Sequence, residues 1–573
     1  MTSLQLNTLD WVAIGLFFAG LSLVGYVAGR GEHASSNDYF LAGNRLPWYV
    51  VGGSLVASVL STEHLVGMVG WAVLFGVSIG MWTWALVTDI TLLIFLWLPF
   101  LLASRITTIP QFLEMRFDGR IRLTFAVVTI VINIFNFMAA VLYAGGLALQ
   151  QLFGWDLPFA IVVLGIVSGV WAIYGGLSSV AWTDFFTVAV IALGGAAVVV
   201  FGLYALDPDS LWDGFRAMLE RNAADVDPWR EAVERHRSEY TAATDYNRLS
   251  VFQPNDHIAS PTLGLFLSSF SVGIWYNVMN QFVIQRVLGA RDAYHARIGI
   301  IFSGMLFLFL GFVIITPGLI YFAMHPEIFF QSWSQLQVDA DRSYVQLVHE
   351  VLPIGFRGLL LAAMFGAVQS TVNSVLNSTA TIFSIDIYRA RLRPTSSDRS
   401  LVGVGVWSSI ITLTLAILIA IAVSRLEMSI FYYMQTLNAF FAAPFAAVFM
   451  LGVLWRRMNS TGVIAAVVTG FASAVILKLA PDHAPDFPRW ATTILNQAGL
   501  VLVVSLVAGV VGALLSPPPR PEQVTDALTF RWSNKAIWSG YRGGPLGGVL
   551  AWWAVYALMT AALFAYFSPL FFR

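Results

Sequence analysis

The sequence contains no cysteine and only two lysines, Lys478 and Lys535, and 11% of its 573 residues are charged. The missing thiols exclude disulfides, thiolate metal sites and cysteine nucleophiles. A soluble chain carries about 25% charged residues. Water is therefore not the solvent for most of this surface, which is 58% hydrophobic with a mean hydropathy of +0.75. A formal net charge of −1 gives no electrostatic case for nucleic acid. HExxH, P-loop and strand-linked GxGxxG motifs are absent and the eight histidines are scattered, which leaves metal hydrolysis and ATP-driven pumping without ligands. Gly76-Val77-Ser78-Ile79-Gly80 matches the nucleophile elbow in form. No strand precedes it and no base is paired with it, so small-residue helix packing is the expected role.

What fills the chain is apolar runs with short polar breaks. A helix needs about 20 mainly apolar residues to cross the hydrocarbon layer. On that basis the chain is expected to be one all-α integral membrane unit of about fourteen transmembrane helices. They lie near 9–29, 47–73, 79–104, 122–152, 157–174, 182–206, 259–285, 297–324, 357–388, 401–424, 428–455, 461–480, 492–516 and 546–569. The first is expected to be retained, because Met1 to Asp10 lacks the Lys or Arg of a leader. Alternating the loops puts about 19 basic residues on one side and about six on the other, which makes the first side cytoplasmic. Arg116, Arg122, Arg286 and Arg297 belong to that inner set, and both termini fall outside. The long insertion 207–258 is also outside, with a charged, solvated helix expected in Asp227 to Thr244. The Gly-Pro-rich segments Ser516 to Glu522 and Ser539 to Gly548 read as an inner connector. The preference for arginine over lysine hints at a GC-rich bacterial genome, hence a bacterial inner membrane.

Polar groups inside spans are expensive and need a reason. Ala57-Ser58-Val59-Leu60-Ser61-Thr62-Glu63-His64 interrupts the second span with hydroxyls and a charge, and an unwound helix there would expose carbonyls suited to sodium. Gln369-Ser370-Thr371-Val372-Asn373-Ser374 places uncharged oxygens within about one turn. Interhelical hydrogen bonding and sodium ligation explain that second cluster equally well. Asp184, near the start of the sixth span, reads as an N-cap or a cation relay, and on its own the cap is preferred. Asp89 and Glu63 are the other acids within spans, each expected to pair with a neighbouring donor.

Several ordered motifs resemble the sodium/solute symporters, the family that includes sodium/glucose and bacterial sodium/galactose cotransporters. They are Asp38-Tyr39-Phe40-Leu41-Ala42-Gly43, Thr108-Ile109-Pro110-Gln111-Phe112, Tyr174-Gly175-Gly176-Leu177-Ser178 with Trp182-Thr183-Asp184, Asn280-Gln281 with Gln285-Arg286, and Leu376 to Phe383 continued by Asp386-Ile387-Tyr388. The resemblance runs from the first span to about Asn459. It implies a core of two inverted five-helix repeats, 47–206 and 259–455, flanked by an extra helix at 9–29 and accessory helices in 461–573.

By this resemblance sodium is the coupling ion and no other cofactor is needed. The principal sodium site maps to Ala57, Leu60, Ala367, Ser370 and Thr371. A second sodium position, held by some members, maps to Asp184, Ser370, Asn373 and Ser374. His64 and Gln435 match solute-binding positions, and Thr83 stands where sugar carriers have an acid. An asparagine near Gly273 and a lysine near Phe307 are also missing, so the galactose-binding set is not carried over. Tyr276 matches an inner gate, and Met68, Trp82 and Phe431 an outer lid. The implied activity is sodium-driven import of a sugar, polyol or sugar derivative, with a monocarboxylate or amino acid as the alternative solute. A transporter-like sensor is the rival class.

Overall fold

The computed structural model describes residues 6–30, 35–61, 63–244, 246–423, 430–484, 486–531 and 548–569. Among these residues the regular elements are all helical, with two isolated bridges, Leu46–Ala290 and Gln253–Pro261. Each expected segment contains helix. Eleven helices are long and apolar enough to cross a bilayer, or twelve if the bent pair Thr262–Phe270 and Val272–Met279 is one span.

The difference from fourteen arises where helices break or merge. Trp48–Val59 is short because the chain leaves the helix at Leu60 and resumes a π-helical turn at Glu63–Met68. From His64 the helical run continues to Ala103 through the tight turn Gly76–Gly80, joining two expected spans. Residues 157–174 and 182–206 lie in two helices that abut without a loop at Gly176, where the backbone is non-helical (φ 56°, ψ −153°), and the apolar part of the first, Leu157–Val170, is short. A Cβ at Gly176 would lie 2.4 Å from the Tyr39 carbonyl oxygen, so glycine permits both the kink and the close approach.

Phe356–Ile382 is the central helix. In the run that contains it 89% of the most apolar window is buried, against 17% for the peripheral Thr8–Ala28. It packs along Leu157–Leu206 and against Trp48–Val59, which also lies on Ala293–Met324. Glycines allow that last approach, since a Cβ on Gly52 would come within 2.6 Å of the Gly299 carbonyl oxygen.

Of the arginines counted on the expected inner side, Arg116, Arg122, Arg286 and Arg297 are buried. The reason is visible at Arg116, whose Nη2 donates to the Trp455 carbonyl at 3.1 Å and whose Nε donates to that of Gly452. The side chain closes the C-terminal end of Ile430–Leu454, where carbonyls lack intrahelical donors.

The insertion after Leu206 carries helices Leu211–Ala223 and Trp229–Tyr240. The second is the expected charged helix, but one face is not solvated: Ala232, Val233, His236 and Tyr240 are buried. Arg248 reaches from this insertion into the end of helix Val69–Phe75 and donates to the carbonyls of Leu74 at 2.6 Å and Val73 at 2.8 Å. Its guanidinium stacks 3.8 Å from the Phe322 ring centroid, which adds cation–π attraction. Of the inner connector, Pro521–Val524 forms a tight turn, while 532–547 lies outside the described residues.

His257 ends the insertion, its Nδ1 accepting from the backbone N–H of Ser260 at 3.0 Å and of Ala259 at 3.3 Å. Burial pushes the imidazole down to about 3, with Asp256 drawing it up and Arg489 opposing. The unfolded chain takes up this proton near pH 6.5, so it binds more protons than the folded chain between pH 6.5 and 3. Stability from the neutral ring is thus full above pH 6.5 and declines as pH falls through that window. His257→Asn should flatten the loss of thermal midpoint between pH 7 and pH 5, and an unaltered profile would assign that loss to other groups.

Candidate ion site and solute cavity

Helix Trp48–Val59 ends among β-branched and hydroxyl residues, which compete with helical hydrogen bonding. A helix end leaves its last carbonyls without intrahelical donors. Here these are the carbonyls of Ala57, Ser58, Val59 and Leu60, the last in extended conformation (φ −86°, ψ 102°). The central helix faces this break. Thr371 Oγ1 donates toward the Ser58 carbonyl and the Ala367 carbonyl, each at 3.3 Å. Ala57, Leu60, Ala367, Ser370 and Thr371 are all buried; the carbonyls that the Thr371 hydroxyl reaches are those of Ser58, which was not in the expected set, and Ala367, while the Ser370 hydroxyl turns to Asp184.

One turn along, Asp184 is fully buried. It stands eight residues beyond the Gly176 kink and within the helix, so it is not an N-cap. Its Oδ1 accepts from Ser370 Oγ at 2.6 Å, and its Oδ2 accepts from Ser54 Oγ at 2.6 Å and Arg286 Nη2 at 3.0 Å. Arg286 also donates to Ser54 at 2.6 Å through Nε and to Ser374 Oγ through Nη2. The guanidinium supplies the positive charge that a buried carboxylate requires. Asn373 bonds to none of these groups. Its amide and those of Gln369 and Asn377, each four residues apart, have no hydrogen-bond partner among the described residues. That spacing puts all three on one face of the helix, a stripe readable in the sequence.

Beside the break lies a cavity of about 120 Å³. Val59 borders it, as do His64, Thr83 and Gln435 and three of the residues expected as gates, Met68, Trp82 and Tyr276. The side chain of Phe431 lies outside the described residues. Trp82 Nε1 donates to the Ala259 carbonyl at 3.3 Å and its ring meets Trp71 edge-on. Tyr276 packs edge-on against Phe137 and Phe282, with centroids 5.7 and 6.0 Å away. Gly273 and Phe307 are in the wall too. Asp89, Asn277 and Asn438 line the same cavity and were absent from the expected set. Asn438 follows Gln435 by three, one helical face, and was findable; Asn277 carried no signal beyond adjacency to Tyr276. Ser78, by contrast, is buried in its tight turn with its Oγ donating to the Phe75 carbonyl at 3.2 Å, a packing role.

The remaining motifs converge on one end of the core. Asp386 Oδ1 accepts from Thr108 Oγ1 at 2.9 Å and Arg122 Nε at 2.8 Å. Gln281 accepts from the Ile109 N–H at 3.0 Å and donates to the Thr107 carbonyl at 2.9 Å. Gln285 donates to the Phe40 carbonyl at 2.6 Å. Residues far apart in sequence thus form a polar clasp holding several helices together.

A family model described as the sodium:solute symporter family matches residues 39–470. The chain is 32% identical to a sodium/glucose cotransporter of Vibrio parahaemolyticus, covering 87% of this chain and 91% of the relative. It is 27% identical to the human sodium/myo-inositol cotransporter, covering 93% of this chain and 76% of the relative. Among solved structures, a Na+-coupled sialic acid symporter in a substrate-bound outward-open state superposes with a TM-score of 0.71 at 20% identity, covering 90% of this chain and 99% of that one. That likeness shows a shared transporter fold. With the motifs gathered at one clasp, a broken helix beside a cavity, and matches over most of its length, the chain belongs to the sodium:solute symporter family, a family of membrane cotransporters rather than enzymes.

Proposed function

We propose that this chain couples inward sodium movement across a bacterial inner membrane to import of a small polar organic solute, a sugar, polyol or sugar derivative, by alternating access. In this reading the core is two inverted five-helix repeats, 47–206 and 259–455, with 207–258 and both termini outside the cytoplasm. The carbonyls of Ala57, Leu60 and Ala367 and the hydroxyls of Ser370 and Thr371 ligate sodium. His64, Thr83 and Gln435 bind the solute, while Met68, Trp82 and Phe431 close over it and Tyr276 closes beneath.

The observation that carries the reading is a shared element. The helix break after Val59 presents its carbonyls to Thr371, and Val59 and His64 on either side of that break border the cavity. An ion bound at the break therefore stabilises one shape of the cavity, which is the differential interaction that coupling requires. One sodium moving inward gains about 2.3 kcal/mol per 100 mV, sufficient for roughly fifty-fold accumulation of a neutral solute. A second sodium at Asp184, Ser370, Asn373 and Ser374 would have to displace the Arg286 guanidinium, so the buried pair supports one sodium per cycle.

Uptake by purified protein in liposomes tests the reading, with labelled sugars, polyols, sugar acids and amino acids offered with and without an inward sodium gradient. Sodium-dependent accumulation of one compound is expected. Saturable binding without accumulation would point to a sensor. His64→Ala and Gln435→Ala should each raise the solute concentration for half-maximal uptake about tenfold, the cost of one hydrogen bond, while sodium still stabilises both variants. Normal solute affinity in both would retire these contacts.

A further inference from the structure

The peripheral helix Thr8–Ala28 does not seal against the core along its first half. Between it, Ala139–Phe153, the helix that begins at Leu157 and the central helix lies a separate cavity of about 270 Å³. Every residue lining it, among those described, is apolar. Small residues hollow it out: Gly145 and Ala148 stand three apart on one helix face, and Ala362 is on the central helix. A Cβ at Gly145 would already lie 2.8 Å from Val368 Cγ2. Val368, 1% exposed, is the floor, and it follows Ala367 in the chain.

Four rings mark the rim. The Phe153 centroid is 5.9 Å from that of Trp11 and 5.3 Å from that of Trp155, which is 5.4 Å from Phe159. The rim falls where helices end, at Asn7, Gly154, Asp156 and Gly355. Asp10 ties two of these ends, its Oδ1 accepting from the N–H groups of Gly355 at 2.8 Å and Gly358 at 2.9 Å. Tryptophans at helix ends mark the membrane–water interface, so the cavity runs from the interface into the hydrocarbon. From Phe153 to Gly145 it descends ~12 Å along the helix axis, most of one leaflet's half of roughly 30 Å. Residues 7–18 and 145–164 include no lysine or arginine. Arg357, at the start of the central helix, is engaged by the carbonyls of Leu352 and His349, each at 2.9 Å. Nothing at the rim therefore selects an anionic headgroup.

Trp11, Trp155 and Val167 of the lining are exposed, and so are Leu16, Phe159 and Ile166 beside them. The cavity is thus continuous with the face these spans turn to lipid. An occupant has to be apolar over its buried length and joined to a polar group at the rim. We infer that this cavity binds one acyl chain of a bilayer phospholipid, held by its chain rather than its headgroup, and that the chain fills the gap between the peripheral helix and Val368 of the central helix. The chain supplies the dispersion contacts that the lining residues lack on that side, so bound lipid stabilises the native protein by mass action.

The test is native mass spectrometry of the full-length protein after exchange into lipid-free detergent, followed by thermal unfolding with lipid added back. The parent is expected to retain a phospholipid that the double variant Ala148→Leu with Ala362→Leu, which fills the cavity, loses. That variant should unfold at or above the midpoint of the stripped parent, which separates filling from damage. Trp155→Ala, which opens the rim and leaves the floor intact, should weaken lipid binding about tenfold. Dioleoyl phosphatidylethanolamine and dioleoyl phosphatidylglycerol should raise the midpoint of the stripped parent alike and leave that of the filled variant unmoved. Dihexanoyl lipids, whose chains stop short of Val368, should not raise it. Where the filled variant does not fold, Trp155→Ala and the chain-length comparison decide. The proposal is overturned if the parent retains detergent alone, if filled and parent proteins retain lipid equally, if Trp155→Ala binds lipid normally, if one headgroup alone stabilises, or if short chains stabilise as well as long ones.

Discussion

Replacing Arg286 by alanine is expected to lower the stability of the purified protein by about 3–5 kcal/mol and to abolish uptake, because it leaves Asp184 as an uncompensated charge in the core. The pair is 1% and 0% exposed at its two side chains, so neither water nor lipid can replace the guanidinium. The same removal strips the donors from Ser54 and Ser374, whose helices the arginine ties to Leu157–Leu206. Joint replacement by apolar residues, Asp184→Leu with Arg286→Met, should recover much of the stability, since breaking a buried pair costs more than deleting it. Thermal unfolding in detergent checks both variants. A single variant as stable as the parent would mean that the carboxylate finds another partner and that the pair does not hold the core.

Thr371→Ala should raise the sodium concentration for half-maximal uptake about tenfold or more, equivalent to losing roughly 1.4 kcal/mol of ion binding. The hydroxyl is the side-chain oxygen that faces the broken helix, 3.3 Å from the Ser58 carbonyl and equally far from that of Ala367. Removing it takes one oxygen from an ion that must shed its water, and leaves the buried Ser58 carbonyl without this donor when no ion is bound, while that of Ala367 keeps its intrahelical bond. Thr371→Ser keeps the oxygen and should stay near the parent. Sodium dependence unchanged in the alanine variant would remove Thr371 from the ion site and with it the ligand set built around the break.

The break itself was legible, because Ser58 to Thr62 combines hydroxyl and β-branched residues where a span should be continuous. The motifs identified the family, yet their reason for existing is spatial: Thr108 and Asp386 meet across 278 residues. Asp184 was misplaced at a helix start because the second of the two helices that meet at Gly176 begins directly after that glycine, well before Asp184. Its partner is 102 residues away, and that of Asp89 is 188 away. Hydropathy registers that such acids are costly, but no local pattern names the donor that makes them tolerable. The arginines were read only for sidedness for a related reason, since sequence does not show that a basic residue next to a span can also close a helix end inside the protein, as Arg116 does.

Among the described residues there are five π-helical turns, and two of these, Glu63–Met68 and Trp275–Met279, bring His64, Met68, Tyr276 and Asn277 to the cavity. Each such turn holds one residue more than the α-helix would. Loss of that residue would leave length, hydropathy and nearly every identity in an alignment intact, while rotating the side chains on one side of it by about 100°. Two relatives differing by that single gap could therefore look interchangeable on paper and present unrelated surfaces to a solute, so gaps within spans carry more information about selectivity than the percentage of matched letters.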